Sequence, residues 1–246
     1  MQSNKQNILA FDTTTVACTV ALKCADQIFS RHVEIANIHS QKLLAMIDEV
    51  LLEAGINLSD LSYLAVGIGP GSFTGLRIGI GVAQALAYCH NLKVLPISSL
   101  EMLAVTALAT QKNTHQGTII VAHDARMSEV YIAKFELKPE KRLNLSGDLC
   151  LQRPENFEYF STENQMSNKD SLQLLCGNAW QIYHDKIPKI PNNCRYIEQS
   201  SVPNVYSVIG YLDQHLMQFE VINWQTLSPV YVRNDVAKKS SKKPII

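Results

Sequence analysis

The chain has 246 residues, enough to bury a substantial core in one large domain or two small ones. Its 22 basic and 22 acidic residues leave a formal net charge of +0, which excludes a global electrostatic pull toward nucleic acid or a membrane surface. Six cysteines occur without a Cys-x-x-Cys pair, the first residues are polar rather than a secretory leader, and Arg77 and Gln84 interrupt the best apolar run, so a cytoplasmic protein with no membrane segment is expected.

Ile8-Leu9-Ala10-Phe11-Asp12 reads as a first strand, and Thr13-Thr14-Thr15 as the turn that ends it. Ala17 to Lys23 and Ile28 to Ile35 read as two more strands around a turn at Ala25-Asp26. A helix follows, with Ser40 as the expected N-cap and Gly55 as the expected C-terminal stop. Leu43, Ile47, Val50, Leu51 and Ala54 form its apolar face, which Leu44, Met46 and Leu52 widen. Tyr63 to Ile68 is a buried strand, Leu76 to Tyr88 a helix and Lys93 to Ile97 a strand, after which Ser99 is placed to cap a helix reaching about Thr110. Three meandering strands followed by alternating helix and strand predict a mixed sheet with helices on its faces. That is the order of the ribonuclease H-like domain used by the actin and sugar-kinase architecture. From Thr118 a similar pattern begins, with strands to Ala122 and from Glu129 to Leu137 around Asp124-Ala125-Arg126. Residues 138–170 are polar and show no clear period; Leu172 to Cys176 reads as a strand entering a turn at Gly177-Asn178. Val205, Ile209, Leu212 and Leu216 mark an amphipathic helix, and a basic tail starts at Lys238.

The run Gly69-Pro70-Gly71-Ser72-Phe73-Thr74-Gly75 joins a strand to a helix. Such a loop lets backbone N–H groups approach an anion, and it equally lets two backbones pack closely. It is not a Walker loop, since no Gly-Lys-Ser/Thr follows, and it lacks the Gly-x-Gly-x-x-Gly spacing of a dinucleotide site. Asp12, Thr13 and Thr14 offer a carboxylate and hydroxyls to a phosphate or hydrated cation, or to their own turn. With Gly69, Gly71, Ser72 and Thr74 they form a possible vestigial nucleotide loop. Asp124 and Arg126 read as an ion pair or as cleft residues, and His39 as a hydrogen-bonding residue near a helix start. None of the seven histidines is paired at i and i+4, so neither a His-x-x-x-His metal pair nor His-Glu-x-x-His is present, and no metal or cofactor is expected.

In the second helix Gly75, Gly79, Ala83 and Ala87 recur every fourth residue and share one stripe. A glycine inside a helix costs roughly 1 kcal/mol against alanine, so Gly79 calls for a reason. One reason is packing on the chain's own sheet; the other is close approach by a helix of another subunit. On the second reading, replacing Gly79 by leucine weakens pairing and spares the fold.

Four segments in chain order carry a resemblance: Ile8 to Thr15, His39-Ser40-Gln41, Gly69 to Gly81, and Asp124-Ala125-Arg126-Met127-Ser128-Glu129-Val130-Tyr131, with Pro229 to Asn234 near the end. Through them the chain resembles the TsaB (YeaZ) family of the bacterial tRNA threonylcarbamoyladenosine machinery. It departs where Ala45 replaces the family's usual proline and over 138–200, which matches no family motif. The resemblance implies an α/β, two-lobed, actin-like ATPase (ASKHA) architecture with mixed sheets. One lobe would span 1–105, completed by 204–246, and the other 106–203. It implies a non-catalytic scaffold that supports TsaD in transferring threonylcarbamoyl to the N6 of the adenosine beside the anticodon. TsaE would supply ATP hydrolysis on the TsaB–TsaD pair, tRNA would be reached through the complex, and a homodimer would form without TsaD. Pairing would run through the two helices, with Leu44, Ile47, Leu51, Gly75, Gly79, Ala83 and Ala87 at the interface. The competing expectation is an independent actin-like ATPase or small-molecule kinase.

Overall fold

Along β1 (Ile8–Asp12), every side chain is buried, and alternate residues enter different cores. Leu9 and Phe11 point to one face of a sheet, Ile8 and Ala10 to the other, as the period of two in a strand dictates. A computed structural model describes residues 6–35, 37–111, 116–157 and 172–232. Arg233, Asn234 and the lysines at 238, 239, 242 and 243 lie outside the described residues, as does all of 158–171.

β1 is the centre of a five-stranded sheet in the order β3-β2-β1-β4-β5. β2 (Ala17–Cys24) and β3 (Gln27–Glu34) extend it antiparallel, whereas β4 (Tyr63–Gly67) and β5 (Lys93–Ile97) are parallel neighbours reached over helices. The second sheet repeats that plan. β6 (Gly117–Arg126) is flanked on one side by antiparallel β7 (Glu129–Leu137) and β8 (Leu143–Leu145). On its other side lie parallel β10 (Gln173–Cys176) and β11 (Cys194–Tyr196), giving β11-β10-β6-β7-β8, while the short β9 (Cys150–Gln152) also pairs with β7.

Helices α1 (His39–Ala54) and α2 (Phe73–His90) cover one face of the first sheet, where Leu43, Ile47, Val50, Leu76, Ile80, Ala83 and Ala87 meet Leu9, Phe11, Val20 and Leu22. On its other face, α3 (Ser99–Ala109) and α5 (Val205–His215) fill the space between the two sheets. Leu100, Leu103, Ala107, Val208 and Leu212 join Ile8, Ala10, Ile119, Val121, Phe135 and Leu174 there. α3 is buried nearly all round, so its sequence is apolar nearly all round. A short helix, α4 (Ala179–Ile182), closes the outer side of the second sheet around Trp180.

Two expected caps differ from those seen. α1 starts one residue before Ser40, with Ile38 at the cap and no side-chain cap bond; α3 is capped by Ser98, which accepts from the Leu100 N–H, rather than by Ser99. At α3 the adjacent Ser98 and Ser99 leave the choice to the path of the incoming chain, whereas α1 simply begins before its serine. Gly55 does end α1, in the left-handed conformation (φ 68°) that glycine adopts without strain. The C-terminal stretch returns to the first sheet: Val94 and Ile222 exchange both backbone hydrogen bonds at 2.9 Å, and the Val230 N–H donates to the Ile68 carbonyl at 2.8 Å.

Candidate functional site: sealed loop, open cleft and outer helix face

The turn after β1 and the glycine loop interlock. Asp12 is fully buried, and its carboxylate accepts from both the N–H and the hydroxyl of Thr14 at 3.0 Å. The Thr13 hydroxyl donates to the Gly75 carbonyl at 2.7 Å, and the Ser72 N–H donates to the Thr14 carbonyl at 2.7 Å. Ser72 then caps α2 by accepting from the Gly75 N–H. The loop residues Asp12, Thr13, Thr14, Gly71 and Ser72 are thus brought together, yet their polar groups bond one another. Thr74 is exposed and lines the cleft described below, and Gly69 is buried behind it.

The small-residue stripe faces inward. Gly75, Gly79, Ala83 and Ala87 are all buried, and a Cβ on Gly79 would stand 2.5 Å from the Thr13 hydroxyl; one on Gly75 would overlap the Thr13 carbonyl. These four residues, expected at a subunit interface, instead let α2 lie close against the end of β1 and Val66. Ile47 and Leu51 are likewise inside the first core, so of the expected interface only Leu44, 51% exposed, faces outward.

The outward side of the helix pair carries other residues. On α2, Gly81, Ala85 and Cys89 are exposed, with Ile78, Val82 and Leu86 half-buried beside them; on α1, Leu44, Ala45 and Leu52 are exposed. A Cβ on Gly81 would meet nothing within 4 Å. Sequence reasoning missed Gly81, although the spacing Gly81, Ala85, Cys89 was there to be read.

Between the two sheets opens a cleft of about 570 Å³, bordered by Thr14, Val16, His39, Phe73 and Thr74 on one side and by His123, Asp124, Met127 and Asn178 on the other. Asp124 organises the cleft wall: its carboxylate accepts from the Tyr183 hydroxyl at 2.7 Å and the Arg126 N–H at 2.9 Å, and its own N–H donates to Asn178 at 2.8 Å. His39 bonds the Ala17 carbonyl through Nε2 at 3.2 Å. Burial lowers His123 to about 4, so its ring is neutral at physiological pH despite the nearby Asp124 carboxylate. Among the described residues no three of His, Cys, Asp and Glu gather around a common point that could hold a metal ion.

Burial acts in the opposite direction on two carboxyls. Asp12 is pushed up to about 6, against the two Thr14 hydrogen bonds, and Glu101 to about 7. Each binds its proton more tightly folded than unfolded, so its share of stability is full below the ordinary carboxylate range and is lost as pH rises through the folded value. Glu101→Gln is therefore expected to match the parent near about pH 4.5 and to be more stable by about 2 kcal/mol near about pH 8. Thermal melts of both chains across that range check it; equal differences at both ends would refute it.

Two mixed sheets with one shared strand order, helices between and outside them, and a cleft at the end of the central strands define an actin-like (ASKHA) protein. The TsaD family, described as tRNA N6-adenosine threonylcarbamoyltransferase, matches residues 33–236. The tRNA threonylcarbamoyladenosine biosynthesis protein TsaB of Haemophilus influenzae is 33% identical over 239 residues, covering 94% of this chain and 95% of that one. The protein of the same name from Escherichia coli K12 is 32% identical over 233 residues, covering 94% and 96%. The solved structure of YeaZ from Pseudomonas aeruginosa superposes with a TM-score of 0.78 at 31% identity, over 92% of this chain and 99% of that one. A second Pseudomonas aeruginosa structure, described as similar to peptidase YEAZ, gives 0.80 at 32% identity over 93% and 100%. The chain belongs to the TsaB (YeaZ) family.

Proposed function

We propose that this chain acts in tRNA threonylcarbamoyladenosine biosynthesis as a non-catalytic pairing subunit that docks on a TsaD-type transferase through the outer face of α1 and α2. The observation that carries the proposal is Gly81. It sits mid-helix with open space beyond it, so among the described residues nothing repays its cost of roughly 1 kcal/mol against alanine. A second helix approaching along Gly81 and Ala85 would gain contacts there and cover Ile78, Val82, Leu86, Leu44 and Leu52. Exposed apolar surface of this kind marks interfaces.

Support for a non-catalytic role comes from the loop. Asp12, Thr13 and Thr14 use their polar groups internally, so we read the glycine loop as a vestige of a phosphate loop kept for packing. The chain would work as two lobes, 1–105 closed by 204–246, and 106–203. In the absence of the transferase the same face would join two copies of the chain. TsaE would act on the assembled pair, and tRNA would reach it in the cytoplasm through the transferase, since the net charge of +0 gives this chain no general attraction for RNA.

Sedimentation of the chain with and without a TsaD-type protein, followed by tRNA modification assays omitting each subunit in turn, tests the proposal. A stable pair and modification that needs both chains are expected. Absence of pairing together with ATP hydrolysis by this chain alone would replace the proposal with an independent actin-like ATPase.

A further inference from the structure

The cleft has an apolar rim that stays exposed in the folded chain. Val16 is 51% exposed, Phe73 49%, Met127 83% and Tyr231 47%, and all four border the same opening. They come from four separate places: the β1–β2 turn, the first turn of α2, the β6–β7 turn and the returning C-terminal stretch. Two of them are held in place. The Arg77 guanidinium lies 3.5 Å from the centre of the Phe73 ring, and that ring stands 6.0 Å from the ring of Tyr231. Fixed aromatic side chains at an opening serve as anchors for an incoming group, because little freedom is lost on contact.

Met127 stands at the tip of an unusual turn. Arg126, Met127 and Ser128 follow one another with φ of 62°, 55° and 57°, the left-handed region that side chains other than glycine and asparagine avoid. A two-residue hairpin needs such angles and ordinarily takes Asn-Gly. Here the chain accepts backbone strain and the exposure of a large thioether side chain at the same residue. Methionine adapts its shape to an apolar partner surface.

The rim is continuous with the outer helix face. Phe73 and Ile78 both border the cleft, and Ile78 leads to Val82 and Leu86 along α2. A body lying on α2 over Val82 and Leu86 therefore extends to Ile78 at the mouth of the cleft. Inside this rim the cleft is also lined by the polar groups of Thr14, His39, Asp124, Arg126 and Asn178, and the Asp124 carboxylate is held by the Tyr183 hydroxyl and the Arg126 N–H, so the apolar contact surface is the rim itself.

We infer that the subunit covering α1 and α2 extends a short apolar chain segment into this cleft, where it packs on Phe73, Met127 and Tyr231 and bridges the two sheets. This rests on the pairing proposed above and adds a second contact to it. Such a segment ties the orientation of the two sheets to the presence of the partner, because the rim residues belong to both.

The test places the photoreactive residue p-benzoylphenylalanine at position 127 of the full chain and irradiates it with the TsaD-type protein. The expected result is a crosslink that maps to one apolar segment of that protein. In parallel, a Phe73→Ser, Met127→Ser double variant is expected to pair about tenfold more weakly, the loss of two anchors at an interface, while its thermal midpoint falls by only a few degrees, the loss of the Phe73 contacts to Arg77 and Tyr231. A complex that Gly81→Leu disrupts, but that shows neither a crosslink at 127 nor weaker pairing of the double variant, would overturn the cleft contact and leave the pairing proposal standing. A crosslink only to a second copy of this chain would also overturn it. Absence of any complex with the parent chain would remove both.

Discussion

Gly79→Leu is expected to lose its fold, not a partner. The new Cβ would stand 2.5 Å from the Thr13 hydroxyl, and the rest of the side chain would be driven toward Val66 in the first sheet. Thr13 has little room to yield, because its hydroxyl holds the Gly75 carbonyl and the next residue, Thr14, holds both Asp12 and the Ser72 N–H. α2 would have to lift from the sheet along the line of Ala83 and Ala87, opening the core that Phe11, Leu22 and Ile80 share. Overpacking in a tight core costs roughly 1–3 kcal/mol, and occasionally more; here the obstacle is a side chain whose hydroxyl is held by a hydrogen bond. A loss of at least about 3 kcal/mol is expected, enough to unfold much of a marginally stable protein. Circular dichroism melts of the purified variant check this directly. A folded Gly79→Leu chain with an unchanged midpoint and impaired pairing would reinstate the stripe as an interface.

Gly81→Leu carries the opposite expectation. Nothing lies within 4 Å of the position its Cβ would take, and leucine is the better helix former, so the isolated chain should be as stable as the parent or slightly more so, by up to about 1 kcal/mol. Pairing should fall by about a hundredfold, because a helix seated along Gly81 and Ala85 cannot keep its distance once a branched side chain stands between them. Gly81→Ala is the matched control: it shares the gain in helix stability and should cost far less affinity. Sedimentation against a TsaD-type protein separates the two. Equal pairing by the parent and Gly81→Leu would show that the outer face of α2 is not where the partner sits.

Much of the fold was readable in the residues. The strand at Ile8–Asp12, the helix stop at Gly55 and the order of strands and helices through Ile97 follow from local signals that the tertiary structure leaves intact. The start signals of α1 and α3 were less secure: at α3 adjacent serines offer equivalent caps and only the incoming chain direction selects one, and α1 starts at His39 without any side-chain cap. The second sheet was legible at its first hairpin and at the strand ending in Cys176, but not between them, because the polar region after Leu137 has neither the period of a strand nor that of a helix. The site was legible as a set of residues but not as an arrangement. Asp12, Thr13, Thr14 and the glycine loop do meet, while the cleft residues His123 and Asn178 come from β6 and the start of α4, far along the chain.

α2 shows where the boundary falls. Its residues by themselves determined a helix with small side chains every fourth position, and the ordered motifs around it determined the TsaB family. They did not determine which side of the helix meets the sheet. Gly75, Gly79, Ala83 and Ala87 form one small stripe; Gly81 and Ala85 form another, offset by two residues and hence by about 200° around the axis. By periodicity alone either could be the inner face. The tertiary structure decides it through the Thr13 turn, which occupies the space beside Gly75 and Gly79 and leaves the space beside Gly81 open, because only backbone without a Cβ fits against that turn.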